Sequence, residues 1–598
     1  MPAPTSVAVG LFGAAGPIDL RQLGVPVETQ ALKRGAVLMR QHEAADALYV
    51  VVTGRFAVTV EGRSGVIAEI GSGEPIGEIA FLASGTRTAT VTALRDSVVM
   101  RLGRETFDAL SETNPSLLRQ LTVALAQRLG ATNQVGASYT KTPPRTIALI
   151  GAGDEPVAPE FVSGLIKALE ASARTIAVGD CPMAGASAPP ARLDTAEVIQ
   201  SLNALEDQYD CILFIADAAL TPWSEQAIRQ ADLILVVGRH GAPREPGAVE
   251  RRGAELLTSH GQRLVLLHDR RGAVRGTAGW LASRNVTMHH HIALDTPGDF
   301  ARLVRFINGT AIGLVACGGG AYSAAHIGLY QALVQSGVEF DIMGGTSGGA
   351  AMAAAFVLGA SPDDIDRATH DVFVTNKAMG HWTWPRYSLI DHTHFDRHVS
   401  ALYAGIDIED LWLPYFAVSA NLSLHVTQRH TTGDLWEAVR ASSSIPVLLP
   451  PYYDRHGHML VDGAIVDNVP VRVMHEMKSG PNIVVNFKAP TVECFPVDYD
   501  QLPGRWRLLA QLMSPLPGRR PPEAPGIPMV LMRSLMANRQ DFERHLGPGD
   551  VVMRPPLPED MGVMDWHRHT ELKRRTFEWT LAEFAGLDAA IKAMLSNK

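Results

Sequence analysis

Gly345-Thr346-Ser347-Gly348-Gly349 follows an apolar, strand-like approach, Phe340 to Met343, and precedes a run of small residues with helical composition. The G-x-S-x-G spacing is that of a nucleophile elbow. Such a sharp strand-to-helix turn carries a serine and leaves little room for neighbouring side chains, so glycines flank it. A serine hydroxyl is a weak nucleophile at neutral pH. It needs a base to take its proton and donors to hold the oxyanion that forms.

Donors are supplied upstream in the same strand-helix-strand unit. Ala311 to Cys317 reads as a buried strand, Gly318-Gly319-Gly320 closes it, and a helix is expected over about 324–336. A glycine run at a strand-to-helix turn exposes consecutive N–H groups where negative charge is favoured. The amides of Gly318, Gly319, Gly320 and Gly348 are therefore the expected oxyanion donors. Such a turn taken alone suits a phosphate equally well. For the base, Met459 to Pro470 places Asp462 at a strand end before Gly463-Ala464. Taken alone, that aspartate is also an ordinary turn residue.

Together, Gly318-Gly319-Gly320, Gly345-Thr346-Ser347-Gly348-Gly349, Ala441-Ser442-Ser443-Ser444-Ile445-Pro446 and Asp462-Gly463-Ala464 resemble, in this order, the patatin-like phospholipases. That resemblance implies a Ser347-Asp462 dyad without histidine, an α/β hydrolase domain and acyl esters of lysophospholipids or phospholipids as substrates. It implies no cofactor for catalysis. The chain departs from the family in two places. Tyr322-Ser323 stands where relatives carry Arg-Gly after the glycine loop, and Gly348 stands where they carry a bulkier residue. These departures put rate and substrate in question more than reaction class.

The first 140 residues have a different texture. Short alternating runs (Ala47 to Val52, Arg55 to Val60, Gly65 to Ile70, Thr88 to Ala93, Ser97 to Leu102) are separated by turn residues, as in an antiparallel roll. Helical sequence follows from about Arg104 to Leu129. Gly77-Glu78-Ile79-Ala80-Phe81-Leu82 with Arg87-Thr88 resembles the phosphate cassette of cyclic nucleotide-binding domains. The resemblance implies a cAMP or cGMP effector, with Gly77 allowing close approach, Glu78 on the ribose and Arg87 on the phosphate. Thr88 is a further donor. An ion pair of Arg87 and Glu78 without ligand is the competing reading.

From about Pro144 to Ile307, apolar runs at 147–150, 175–178, 211–216, 233–237 and 264–268 alternate with helical segments, predicting a parallel sheet. The turn at Gly151-Ala152-Gly153-Asp154 sits where a phosphate loop would, but lacks the G-x-x-x-x-G-K-[ST] pattern. Leu220-Thr221-Pro222-Trp223, Arg229 to Asp232, Arg554-Pro555-Pro556 and Met564-Asp565-Trp566 resemble segments of the neuropathy target esterases. The expected architecture is therefore a roll with helices (1–140), an α/β linker domain (144–307) and a patatin-like α/β hydrolase domain (308–598).

Composition sets limits. The 598 residues carry a formal charge of −9, which argues against nucleic acid as a partner. Cys181, Cys211, Cys317 and Cys494 are dispersed, which suits a reducing cytoplasm, and no signal peptide or membrane-spanning run is apparent. His289-His290-His291 and His392, His394 and His398 show no metal spacing. They read as surface or edge histidines, with H-x-H suiting a strand. The Pro- and Arg-rich stretch from Pro503 to about Pro528 reads as an exposed loop: a connector, a lid or a peripheral membrane contact. Phe577, Leu581, Phe584, Leu587, Ile591 and Met594 predict the core face of a final helix.

Two readings of another kind stay open. One is a cyclic nucleotide-binding regulatory protein whose hydrolase domain has decayed; the other is a hydrolase of thioesters or triglycerides. Oligomeric state is not legible.

Overall fold

A computed structural model describes residues 28–61, 66–71, 73–83, 85–113, 143–179, 208–257, 261–487, 497–512 and 541–596. It also describes the short pieces 8–9, 18–19, 202, 205–206, 524–526 and 530. Cys181, Cys494, the helix expected beyond 113, and residues 513–523 and 527–528 of the Pro- and Arg-rich stretch lie outside the described residues; within that stretch Arg505–Leu512 forms a helix, which corrects the loop reading there. The chain divides into two compact units: Met1–Ala311 with Met477–Ser479, and Ile312–Glu476 with Gly480–Lys598.

In the first unit, alternation of apolar and polar residues produces the antiparallel roll, two four-stranded sheets. One runs Glu28–Leu32, Ser97–Gly103, Ala47–Thr53, Pro75–Ile76; the other runs Val37–Met39, Thr90–Ala93, Phe56–Thr59, Ala68–Ile70. Their inner faces bury Val51, Phe56, Val91 and Val99. The near-continuous apolar runs that follow become a six-stranded parallel sheet, as burial on both faces requires. Its order is Thr175–Val178, Cys211–Ile215, Thr146–Gly151, Leu233–Arg239, Gln262–His268, Met288–Ala293. Roll and sheet share a buried ionic seam. Arg95 donates to Glu206 at 2.8 Å and to Thr146 Oγ1 at 3.1 Å, Arg229 pairs with Asp96, and Arg34 donates to the Ala231 carbonyl at 2.8 Å.

The last strand of this sheet contains His289-His290-His291. It is an edge strand, but His290 and His291 are buried, which corrects the surface reading. Burial with no counter-charge pushes the His290 imidazole well below its ordinary pKa, so it packs as a neutral ring.

In the second unit, among the described residues, an eight-stranded mixed sheet runs Tyr452–Tyr453, Met459–Asp462, Tyr415–Asn421, Ile342–Thr346, Gly313–Ala316, Asn482–Val485, Val551–Met553. Val426–His430 is added beside Tyr415–Asn421. Two of the expectations for this unit are corrected. His392, His394 and His398 lie on a helix, His392–Tyr403, because the Asp391 carboxylate accepts the Thr393 N–H and caps its first turn. The final apolar stripe divides into two helices, His569–Gly586 and Ala589–Ser596. The first buries Leu572, Thr576, Thr580 and Phe584. It lies against Ala325–Gln335, where a Cβ on Gly328 would stand 2.0 Å from the Lys573 carbonyl.

Candidate active site

Ile342–Thr346 is an interior strand, parallel to Gly313–Ala316 on one side and Tyr415–Asn421 on the other. Ser347 follows its last residue with φ 55° and ψ −130°, a backbone state that non-glycine residues rarely adopt. The helix Gly348–Val357 begins at the next residue. The flanking glycines are steric necessities. A Cβ on Gly345 would stand 2.2 Å from the Ala316 carbonyl oxygen, and one on Gly349 would stand 2.3 Å from the same atom. The elbow geometry expected from the motif is present.

Asp462 ends Met459–Asp462, antiparallel to Tyr415–Asn421 with Asp462 opposite Ser419, while Val418 of that strand pairs with Thr346. One intervening strand thus brings the two motif ends together. The Ser347 hydroxyl donates to Asp462 Oδ2 at 2.5 Å, and both residues are buried. The other carboxylate oxygen, Oδ1, accepts the Ala464 N–H at 2.8 Å, which fixes the rotamer. Gly463 is required because a Cβ there would lie 2.2 Å from the Val418 carbonyl.

The Ala441 to Pro446 segment has a role that its motif did not disclose. Ser442 Oγ accepts the Ser347 N–H at 2.8 Å and donates to the Val418 carbonyl at 2.6 Å, holding the elbow against the sheet. The Ser444 carbonyl accepts the Asp462 N–H at 2.9 Å. One short segment therefore positions both members of the pair.

The glycine loop enters a 3-10 turn, Gly320–Ala324, and then the helix Ala325–Gln335. Its amides divide. The Gly318 N–H faces the Asn468 carbonyl at 3.4 Å, whereas Gly320 and Gly348 both line the cavity beside Ser347. Gly348 opens its helix, where N–H groups have no intrahelical acceptor. Gly318 serves close packing: a Cβ there would meet Asn468 Oδ1 at 2.7 Å and Ser347 Cβ at 2.9 Å.

The departures from the family pattern have local structural counterparts. Tyr322 donates through its hydroxyl to the Met561 carbonyl at 2.5 Å, and the neighbouring Ala321 N–H donates to the Val563 carbonyl at 2.8 Å. These bonds tie the glycine loop to the C-terminal segment. The buried Ser323 hydroxyl fills the space beside Gly348, where a Cβ would lie 2.1 Å from it. A side chain at 323 and a glycine at 348 are thus a matched pair.

Ser347 opens into an apolar cavity of about 240 Å³. Met352, Phe373, Met379, Phe395 and Leu402 line it, together with Met564 and Trp566 from the C-terminal segment. Trp566 stacks on Phe373 with ring centroids 3.6 Å apart. Among the described residues no histidine lines this cavity. His326, on the helix after the glycine loop, is pushed down to about 4 by burial and stays neutral at physiological pH.

Of the residues expected at a nucleotide site, Arg87 and Gly77 are brought together. Arg87 is buried and donates to the Gly77 carbonyl at 3.1 Å and the Ala47 carbonyl at 2.7 Å. Glu78 is buried at the start of the short helix Glu78–Leu82, whereas Thr88 is exposed. In the α/β domain, the turn in the phosphate-loop position is filled from within. The Glu250 carboxylate accepts the Gly153 and Gly247 N–H groups and pairs with Arg284 at 2.7 Å, both side chains being buried. No group of three or more His, Cys, Asp or Glu among the described residues is placed to hold a metal ion.

Comparison with known proteins agrees with this arrangement. Residues 314–475 match the patatin-like phospholipase family model. Residues 29–114 match the cyclic nucleotide-binding domain model, and 144–311 the Neuropathy Target Esterase family P-loop like domain. By fold and match, the second unit contains a patatin-like domain.

Among curated relatives, the chain is 29% identical to neuropathy target esterase sws of Drosophila melanogaster, covering 86% of this chain and 39% of that protein. It is 29% identical to patatin-like phospholipase domain-containing protein 7 of Rattus norvegicus, covering 83% and 41%. The chain therefore spans about two fifths of the length of these relatives. A solved cyclic nucleotide-binding domain from Methylobacillus flagellatus is 26% identical over 21% of this chain and 72% of its own, at a TM-score of 0.18.

Proposed function

We propose that this protein is a serine esterase that hydrolyses acyl esters of lysophospholipids through a Ser347-Asp462 dyad. The observation that carries the reading is the 2.5 Å hydrogen bond from Ser347 to a backbone-held Asp462, buried at the end of an apolar cavity. The Ser347 oxygen attacks the ester carbonyl carbon while its proton passes to Asp462. Charge collects on the former carbonyl oxygen, facing the amides of Gly320 and Gly348, with Gly319 adjacent. The intermediate collapses as Asp462 returns the proton to the departing alcohol, leaving the acyl group on Ser347. Water, deprotonated by Asp462, then attacks the acyl-serine, and the second intermediate collapses to the fatty acid as Asp462 returns the proton to Ser347 Oγ. The cavity suits an acyl chain, and the relatives' names, an esterase and a phospholipase, support the substrate class.

The test is fatty-acid release from lysophosphatidylcholine by the purified protein beside Ser347→Ala and Asp462→Asn. Loss of release in both variants, with unchanged melting, is the expected result. Unaltered release in either one overturns the dyad.

The roll is the proposed site of a cyclic nucleotide effector, cAMP or cGMP, held by Glu78, Arg87 and Thr88. Convergence of Arg87 and Gly77 supports it. Titration calorimetry of the full chain with each nucleotide, beside Arg87→Ala, checks this; no heat with either nucleotide removes the effector.

A further inference from the structure

The second unit displays a loop whose chemistry the hydrolytic site does not use. Trp382-Thr383-Trp384-Pro385-Arg386-Tyr387 is exposed at every position. Trp382 is 72% exposed, Trp384 89% and Tyr387 75%. Three large aromatic rings in six residues give up hydrophobic burial that a chain ordinarily takes.

The loop is held in place by its backbone. The Thr383 N–H donates to the Leu389 carbonyl at 3.0 Å, and the Asp391 N–H to the His381 carbonyl at 2.7 Å. Leu389 and Ile390 donate to the Val447 and Leu448 carbonyls at 2.8 and 3.0 Å. The rings are therefore presented on an anchored turn. The turn also adjoins the cavity: Met379, just before it, lines the chamber that Ser347 opens into. So do Ile445 and Leu449, which flank the residues its far end is bonded to.

We propose that this loop is the docking element that seats the enzyme on a lipid bilayer, its rings in the headgroup layer beside the cavity. Tryptophan and tyrosine combine an apolar body with a polar edge and partition into that layer. The Arg386 guanidinium, 5.3 Å from the Tyr387 ring centroid, extends the same surface with a cation that suits phosphate headgroups. Continuity with the cavity gives the placement a purpose, since a single acyl chain would pass from the bilayer to Ser347. This inference rests on the acyl-ester reading of the site.

The experiment is co-sedimentation of the full chain with phosphatidylcholine vesicles, with and without phosphatidylserine, beside Trp382→Ser/Trp384→Ser. Hydrolysis of vesicle-borne lysophosphatidylcholine and of a soluble short-chain ester is measured in parallel. Both side chains are exposed, so melting should not change. The expected result is a roughly tenfold or greater rise in the lipid needed for half-binding. Vesicle turnover should fall with it, while soluble-ester turnover holds. Equal vesicle binding by both proteins overturns the proposal. So does a change of oligomeric mass with vesicle binding intact, which would assign the loop to a second copy of the chain. If the variant loses vesicle binding while neither protein hydrolyses any ester, docking stands and the hydrolase reading falls.

Discussion

Gly348→Ala tests the matched pair of Ser323 and Gly348 beside the glycine loop. The backbone there is helical, so alanine is permitted, and in an unobstructed first turn it would gain up to about 1 kcal/mol. Obstruction decides the sign. The added methyl would lie 2.1 Å from Ser323 Oγ and 2.9 Å from Ser323 Cβ, well inside contact distance, and Ser323 is fully buried. Overpacking of this kind costs about 1–3 kcal/mol, so a net loss of about 1–2 kcal/mol is expected. Relief requires moving the Gly320–Ala324 turn or the start of the Gly348 helix, and both carry proposed oxyanion donors. Misplacing one such donor costs on the order of a hundredfold in kcat.

Ser323→Gly removes the obstruction and deletes a buried hydroxyl that has no hydrogen-bond partner among the described residues. Alone it should be nearly neutral; combined with Gly348→Ala it should restore stability and turnover. Urea unfolding and soluble-ester kcat on the four proteins form a double-mutant cycle with an expected coupling of about 2 kcal/mol. A Gly348→Ala defect that persists unchanged in the double variant would refute the pairing.

Three other outcomes follow from particular contacts. Burial raises the Asp467 carboxyl from 3.8 to about 6, so between about pH 4 and pH 6 the native state holds a proton that the unfolded chain has released. Its contribution is complete below about pH 4 and disappears as pH rises through about 6. Asp467→Asn should flatten that slope and gain up to about 3 kcal/mol at pH 7; an unchanged slope in denaturant titrations would count against it. Tyr322→Phe keeps the ring and removes the bond to Met561. Loosening the segment that carries Met564 and Trp566 should raise KM for a long-chain ester more than it lowers kcat, at about 1 kcal/mol in stability. Equal KM values would assign the hydroxyl no part in the cavity wall. Glu250→Ala leaves Arg284 buried without its carboxylate, at a cost of about 3–5 kcal/mol. Inorganic phosphate should recover part of the lost melting temperature beyond what chloride does at equal ionic strength. Identical curves in the two salts would show that the vacated donors do not form an anion site.

Much of the architecture was legible because its causes are local. Alternation such as Thr90 to Ala93 encodes a half-buried strand, and continuous apolar runs such as Leu233 to Val237 encode a strand covered on both faces. The elbow at Ser347 was legible because glycine spacing reports backbone crowding directly. Where a local cue had two solutions, tertiary context chose. The H-x-H of His392 and His394 suits a strand by alternation, yet the Asp391 cap starts a helix there. The triple histidine at 289–291 looked like an edge exposed to solvent, yet two of its rings are buried, His290 beside Phe306 and His291 beside His268 of the neighbouring strand.

By itself, then, the sequence determined the three-part organisation, the serine on its turn and the aspartate at its strand end. Each is specified by residues adjacent along the chain. Tertiary structure alone decided that Ser442 props the elbow, that Ser323 occupies the space Gly348 leaves, and that Glu250 fills the phosphate-loop position. It also decided that Met564 and Trp566 wall the cavity and that an aromatic turn stands beside it. These are contacts between side chains far apart in sequence, which exist only once the sheet has closed. No periodicity, propensity or motif in a one-dimensional chain records the distance between them.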